Sequence, residues 1–289
     1  MIPMMIEHYN NIKKYFVEKG HASVLYVAVL LLGIPLFYFY ETAIVVPKIF
    51  VKYSLNYYVH IGLATFILVN VILNMFYAIV TNTSIQGKLL RPSHMNKGWS
   101  VCNACEAFRP PRAWHCRICN VCVLKRDHHC IFFATCIGYF NYRYFFLFTF
   151  YSCVALVYAL YFNAWFLVKA LTWNDKWILL KFAFPVVFLG MDFNPESIYV
   201  LIFVLNVLIV VVVIAIFSFH VKNVISGCTC AEKRRSQEND FNYGLKWNLV
   251  EAFGSKWYLT WISPFISSPL PGNGIDWIKC RKNSSKRYN

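Results

Sequence analysis

The sequence predicts an all-α polytopic membrane protein: four transmembrane helices, with a cysteine-rich cytosolic domain between helices 2 and 3. Three observations predict it: the scarcity of charge, four long apolar runs, and one short segment crowded with Cys and His. Of 289 residues, 58% are hydrophobic and 19% aromatic, while only 14% are charged. A soluble domain carries roughly a quarter charged residues. The mean hydropathy of +0.48 points the same way. Disorder is excluded by the apolar content, and a fibrous protein because nothing along the chain is expected to repeat. The formal charge of +15 is read as basic loops facing the cytosol and anionic lipid, with no nucleic-acid partner.

Each span needs about 20 apolar residues. The first runs from Ala22 to Phe39 and extends, on a longer reading, through Glu41 to Val46. Pro35 kinks it without ending it. The second covers Tyr57 to Val80, the third Tyr144 to Val168 and the fourth Ser197 to Phe219. The apolar piece Phe182 to Leu189 is too short to cross and is expected to be re-entrant or interfacial. The resulting layout is a cytosolic N-terminal arm (1–21), spans one and two (22–80), the Cys-rich domain (81–143), spans three and four (144–219) and a cytosolic C-terminal region (220–289).

Orientation follows from Lys and Arg. The arm, the central segment and the tail hold twenty-three, including Lys13, Lys14 and Lys19 in the arm and Lys282, Lys286 and Arg287 at the end. The other two loops hold five: Lys48, Lys52, Lys169, Lys176 and Lys181. Seven of the eleven cysteines lie in the central segment and none in the two lumenal loops, as a reducing compartment requires. The sequons at Asn82 and Asn283 fall on the cytosolic side and are expected to stay unmodified.

The central segment reads VCNACEAFRPPRAWHCRICNVCVLKRDHHCIFFATCIGYFNYRYFF, from Val101 to Phe146. It is short, with Pro110-Pro111 and little periodicity, and cannot build a useful core of its own, so metal must supply folding energy, on the order of 10 kcal/mol for structural zinc. Its donors are Cys102, Cys105, His115, Cys116, Cys119, Cys122, His128, His129, Cys130 and Cys136. Two closed tetrahedral sites use eight, leaving a surplus of two. Asp127-His128-His129-Cys130 is the place for that surplus, with the parts of an orienting acid, a base and a nucleophile. The attacking species is the thiolate, which a neighbouring imidazole favours.

These residues resemble the cysteine-rich domain of the DHHC protein S-acyltransferases (palmitoyltransferases). The pattern C-x2-C-x3-RP-x4-HC-x2-C-x2-C-x4-DHHC-x5-C-x-G-x2-N runs from Cys102 through Cys136, Gly138 and Asn141. Thr229-Cys230-Ala231-Glu232 is similar to the family's TTxE element with Cys in second place. The block from Asn239 to Gly244, through Asn248 and Phe253-Gly254, is similar to its C-terminal motif. The resemblance implies two structural zinc ions, one on Cys102, Cys105, His115 and Cys122, the other on Cys116, Cys119, His129 and Cys136. It implies catalysis by Cys130, His128 and Asp127: Cys130 takes a fatty acyl group from a long-chain acyl-CoA and passes it to a cytosolic cysteine of a membrane-apposed protein. It also implies an acyl chain enclosed by Phe-rich spans, including Phe145, Phe146, Phe148 and Phe150, and an ER or Golgi membrane as the address. The chain departs from the family where Ile131-Phe132 stands for the usual Pro-Trp and Thr135 for Asn, which bears on the active-site turn.

Blander readings stand beside these. A zinc module without catalysis would make a membrane adaptor, but leaves Asp127, His128 and Cys130 without a task. A transporter would need ionisable groups in mid-span. His8, His21, His60, His94 and His220 are expected in ordinary surface or interfacial roles. Cys153 reads as a small apolar helix residue, and Cys228 and Cys230 as free or S-acylated thiols past the last span. Glu232 is expected to pin the tail to the central domain or to be a solvated charge.

Overall fold

In a computed structural model of the chain, the structure describes residues 21–87, 98–191, 193–235 and 240–279. The basic arm, His8, His94, Asn239, the Asn283 sequon and the terminal basic run lie outside the described residues. Four helices are long and apolar enough to cross a membrane: Val24–Ile49, Leu55–Val80, Tyr142–Ala170 and Pro195–Ile225. In the hydropathic windows of the first and last, only 17% of residues are buried within the chain, so most of their apolar side chains face outward and need lipid for solvent. This is an integral membrane protein.

The first span takes the longer of its two expected forms. Helix α1 (His21–Tyr40) runs through Pro35 and continues as a π-turn over Glu41–Val45 and a short α2 (Val46–Ile49). Helix α3 (Leu55–Val80) is the second span, α4 (Tyr142–Ala170) the third and α7 (Pro195–Ile225) the fourth, with short helices α5 (Ile178–Ala183) and α6 (Pro185–Met191) before the fourth. The apolar 182–189 piece thus falls on α5 and α6. Past α7 come one turn, α8 (Cys230–Lys233), and α9 (Leu245–Phe253).

The chain divides into two compact units. One comprises residues 32–71 and 148–218. Its contacts are those of packed spans: Ile67, Val71 and Tyr151 form one buried cluster, Tyr40, Val45, Phe162 and Phe166 another. Two polar contacts lie inside it. Asn163 donates to the Glu41 carboxylate at 2.5 Å and to the Ala159 carbonyl at 2.9 Å. His60 bonds the Tyr158 hydroxyl and stacks on Phe50 at 4.1 Å.

The other unit comprises residues up to 31, 72–147 and from 219 onward. Between α3 and α4 it contains three small antiparallel hairpins instead of helix: β1 (Ser100–Cys102) with β2 (Ala107–Arg109), β3 (Trp114–Cys116) with β4 (Val121–Val123), and β5 (His128–Cys130) with β6 (Thr135–Ile137). A cluster of Ile85, Ala113, Leu124 and Tyr139 packs under them, joined by Leu270, Ile275 and Trp277 of the C-terminal segment.

Arg112 locks that segment down. It has a left-handed backbone (φ 64°) and a fully buried guanidinium. Its Nε and Nη2 donate to the two oxygens of Glu232 at 2.6 and 2.9 Å, and Nη1 to Glu251 at 3.0 Å. Nη2 also reaches the Gly227 carbonyl at 2.8 Å, and the rings of Phe241 and Trp277 each lie 4.5 Å from the guanidinium carbon. Lys125 adds a bond to Glu251 at 2.9 Å. Glu232 therefore pins the tail to the central domain, and the solvated alternative fails. Thr229 and Glu232 also cap α8 reciprocally.

Candidate functional site

The three hairpins are one unit used three times. In each, a Cys closes the first strand (Cys102, Cys116, Cys130), a four-residue loop follows, and its last residue is left-handed: Glu106 at φ 48°, Asn120 at 51°, Ala134 at 50°. The unit recurs every fourteen residues. This corrects the expectation that nothing repeats; a fourteen-residue offset of the His-Cys pairs 115-116 and 129-130 and of Cys122 and Cys136 was the signal available.

The repeat explains how the donors group. Cys102 and Cys105 from the first loop meet His115 and Cys122 from the second hairpin's strands. Cys116 and Cys119 from the second loop meet His129 and Cys136 from the third hairpin's strands. Within each set, the donor atoms lie within 4.8 Å of one another. The Sγ atoms of Cys105 and Cys122 are 3.2 and 3.9 Å from His115 Nδ1, and those of Cys119, Cys116 and Cys136 are 3.3, 3.7 and 3.8 Å from His129 Nδ1. Zinc bonds of about 2.0–2.3 Å in a tetrahedron put neighbouring donors roughly 3.5–3.8 Å apart. The geometry and the Cys3His chemistry both fit, so each set can hold a zinc ion.

The third loop has no fourth hairpin to pair with. Where the first two loops place Cys105 and Cys119, it places Phe133, a fully buried ring packed edge-on to Phe145 at 6.1 Å. Cys130 therefore stands in the knuckle position with neither its usual partner thiol nor a strand pair to complete a metal set. Ile131 and Phe132 at the loop's tip are about half exposed, with Phe132 edge-on to Tyr26 at 5.9 Å.

What the third hairpin meets instead is a short polar chain. Asp127 is buried; its Oδ2 accepts from His128 Nδ1 at 2.7 Å. Its Oδ1 accepts the backbone N–H of Cys230 at 2.9 Å, and Oδ2 also accepts the Cys230 thiol at 2.9 Å. The His128 ring lies within 4.8 Å of the Cys230 thiol, and Cys130 stands two residues further along the same strand. Phe145 packs edge-on to His128 at 4.9 Å, and His220 lies at 5.5 Å. Burial pushes the Asp127 carboxyl up, but the His128 hydrogen bond and charge, helped by His220 and Cys230, hold it well below the usual carboxylate range. Burial pulls His128 down, yet its bonds to Asp127, Cys130 and Cys230 hold it well above the ordinary imidazole range. Burial raises the Cys230 thiol. The arrangement can hold a fixed imidazole tautomer, charge it, and exchange a proton with a thiol.

The hairpin is seated by two motif residues. Asn141 Oδ1 accepts from the Gly138 N–H at 2.8 Å, while its Nδ2 donates to the carbonyls of Ala78 and Cys136 at 2.9 and 3.0 Å. A Cβ on Gly138 would lie 2.5 Å from the Leu124 carbonyl oxygen and 2.7 Å from Val123, so only glycine passes.

The comparisons with known proteins agree on one family. The family model for the DHHC palmitoyltransferase matches residues 95–237. A rat protein named "Probable palmitoyltransferase ZDHHC24" is 31% identical over 218 residues, which cover 74% of this chain and 76% of that protein. Its zebrafish namesake is 35% identical over 223 residues, covering 75% and 74%. The chain belongs to the DHHC palmitoyltransferase family. A "Probable protein S-acyltransferase 15" from Arabidopsis thaliana is 43% identical over 76 residues, 24% of this chain and 30% of that protein.

Two residues of this DHHC site escaped the sequence reading. His220, expected at a surface or interface, is buried, 3.9 Å from Asp127. Nothing near it in sequence marks it, because only the fold brings the end of α7 to β5. Cys230, read as a free or S-acylated thiol within its four-residue element, is a free thiol that also donates a hydrogen bond to Asp127.

Proposed function

We propose that this DHHC palmitoyltransferase works as a two-step S-acyltransferase with Cys130 as nucleophile, His128 as base and Asp127 as the group that orients His128. The observation that carries it is the third knuckle: a cysteine left out of both metal sets, on the strand whose His128 is held by the buried Asp127. In the first step, His128 takes the Cys130 proton and the thiolate attacks the thioester carbonyl of a long-chain acyl-CoA. The new acyl–sulfur bond forms as the bond to coenzyme A breaks, and the proton leaves with the coenzyme A thiol. In the second, a cysteine thiolate of the substrate protein attacks the same carbonyl, and the Cys130 sulfur leaves. One thioester replaces another, so the site needs to make thiolate and hold the tail more than to drive an uphill reaction.

Zinc on Cys102, Cys105, His115 and Cys122, and on Cys116, Cys119, His129 and Cys136, supplies folding energy to the hairpins. Asp127, through the Nδ1 bond, turns the other imidazole nitrogen outward and stabilises the imidazolium. Apolar spans receive the acyl chain. The basic excess supports termini and Cys-rich domain on the cytosolic side, the domain boundaries 1–21, 22–80, 81–143, 144–219 and 220–289, and substrate proteins presented at that face. An ER or Golgi membrane is the proposed address, by family resemblance.

The test is acyl-enzyme formation. Purified protein incubated with labelled palmitoyl-CoA should acquire a hydroxylamine-labile label, and Cys130→Ser should not, while keeping its zinc. A folded, zinc-loaded parent that never labels would instead favour the adaptor reading, in which the zinc domain only recruits partners.

A further inference from the structure

A third group of metal-type donors gathers outside the two Cys3His sets. Asp127, His128, His220 and Cys230 each bring one donor atom, and all four lie within 4.8 Å of one another. They come from two stretches far apart in sequence: Asp127 and His128 at the start of the third hairpin, and His220 and Cys230 around the end of α7. Two imidazoles, a thiolate and a carboxylate are all zinc ligands, and four of them suit a tetrahedron.

The surroundings are those of a prepared site. The Cys230 backbone N–H orients Asp127 at 2.9 Å, the kind of outer contact that aims a metal ligand. Asp127 and His220 are buried, yet a way in exists. His128, His220 and Cys230 line a cavity of about 570 Å³, together with Lys233 and Arg234.

We propose that Asp127, His128, His220 and Cys230 form a third, reversible zinc site, and that zinc bound there switches off acyl transfer by occupying the imidazole and carboxylate that serve Cys130. The regulatory part rests on the roles proposed above for Asp127 and His128. On binding, each donor gives one lone pair to the ion, and the Cys230 thiol and the His128 ring release their protons to solvent. Nothing is oxidised or reduced.

Such a site must be weaker than the structural ones. It offers one sulfur where each Cys3His set offers three, and an arriving dication meets Lys233 and Arg234 at the cavity wall. It must also replace the 2.7 Å bond between Asp127 and His128. The structural sets therefore stay filled while this one follows free zinc, which is the behaviour a switch needs.

The experiment uses the full chain in detergent, its two Cys3His sets loaded, equilibrated with zinc buffers of rising free metal. A further equivalent should bind, and cobalt in its place should give the absorption of a one-thiolate centre. Acyl-enzyme formation, scaled to each protein's own rate without added metal, should fall in step with that equivalent. In Cys230→Thr, which keeps a hydroxyl for Asp127 but no thiolate, both curves should shift to roughly ten- to a hundredfold higher free zinc, as they should in His220→Phe. No further equivalent in the parent, or binding unchanged in both variants, overturns the site. An acylation rate indifferent to the bound equivalent overturns the switch. A parent that binds the extra ion yet forms no acyl-enzyme at any zinc level supports the site and counts against the proposed function instead.

Discussion

Arg112 shows how much one side chain can decide. Buried ion pairs add little over an apolar replacement, but removing one partner strands a charge and costs on the order of 3–5 kcal/mol. Glu232→Ala leaves the guanidinium with Glu251, at 3.0 Å, as its one carboxylate partner and removes half of the reciprocal cap on α8. Thermal unfolding in detergent should show a loss of that size, and limited proteolysis should find the C-terminal segment released. Phe133 makes a contrasting case, since its worth is volume alone. Phe133→Ala empties a fully buried site and should cost about 3–5 kcal/mol by the same unfolding assay, with zinc content kept. Should Phe133→Ala prove neutral, the third loop is not held by its apolar anchor.

At the scale of the element, the hairpins are too small to stand alone. Three-residue strands in isolated pairs are marginal in water, so cross-linking by metal must hold them. Chelation should therefore melt the hairpins while the spans stay helical: circular dichroism loses little helix, and the fluorescence of Trp114 in β3 moves toward that of exposed indole. Cys119→Ala should cost one of two zinc ions and the fold of the second and third hairpins together, because that set joins them. Gly138→Ala tests the seating of the third hairpin. The added Cβ meets backbone at 2.5 Å, and backbone cannot give way as a flexible side chain can. Acyl-enzyme formation should drop with zinc content unchanged.

At the scale of the molecule, the outward-facing apolar spans require a bilayer, and the placement of Lys and Arg supports the proposed cytosolic side for the hairpins. The first sequon tests that orientation. Asn82 Oδ1 accepts the Ser84 N–H at 2.9 Å, and Thr83 and Ser84 are buried beside the hairpins. Glycosidase treatment of the protein from cells should leave its mass unchanged; a glycan at Asn82 would reverse both the topology and the local fold.

Four spans were legible because a bilayer imposes one simple rule, about 20 apolar residues, that any linear reading can apply. The metal donors were legible because a knuckle is local: its cysteines sit two residues apart, and their number exceeded what two ions need. Helix ends were less so, as at Glu41, where the first span continues because Asn163, far along the chain, donates to the carboxylate there. Composition and spacing by themselves determined the class of protein and ten candidate donors, two more than a pair of ions needs; the family resemblance divided them into eight ligands and a spare cysteine. Only the tertiary structure decided what that cysteine's neighbours are. His220 and Cys230 reach Asp127 from the far end of α7 and beyond, and no local pattern can encode a contact that exists only once the chain has closed on itself.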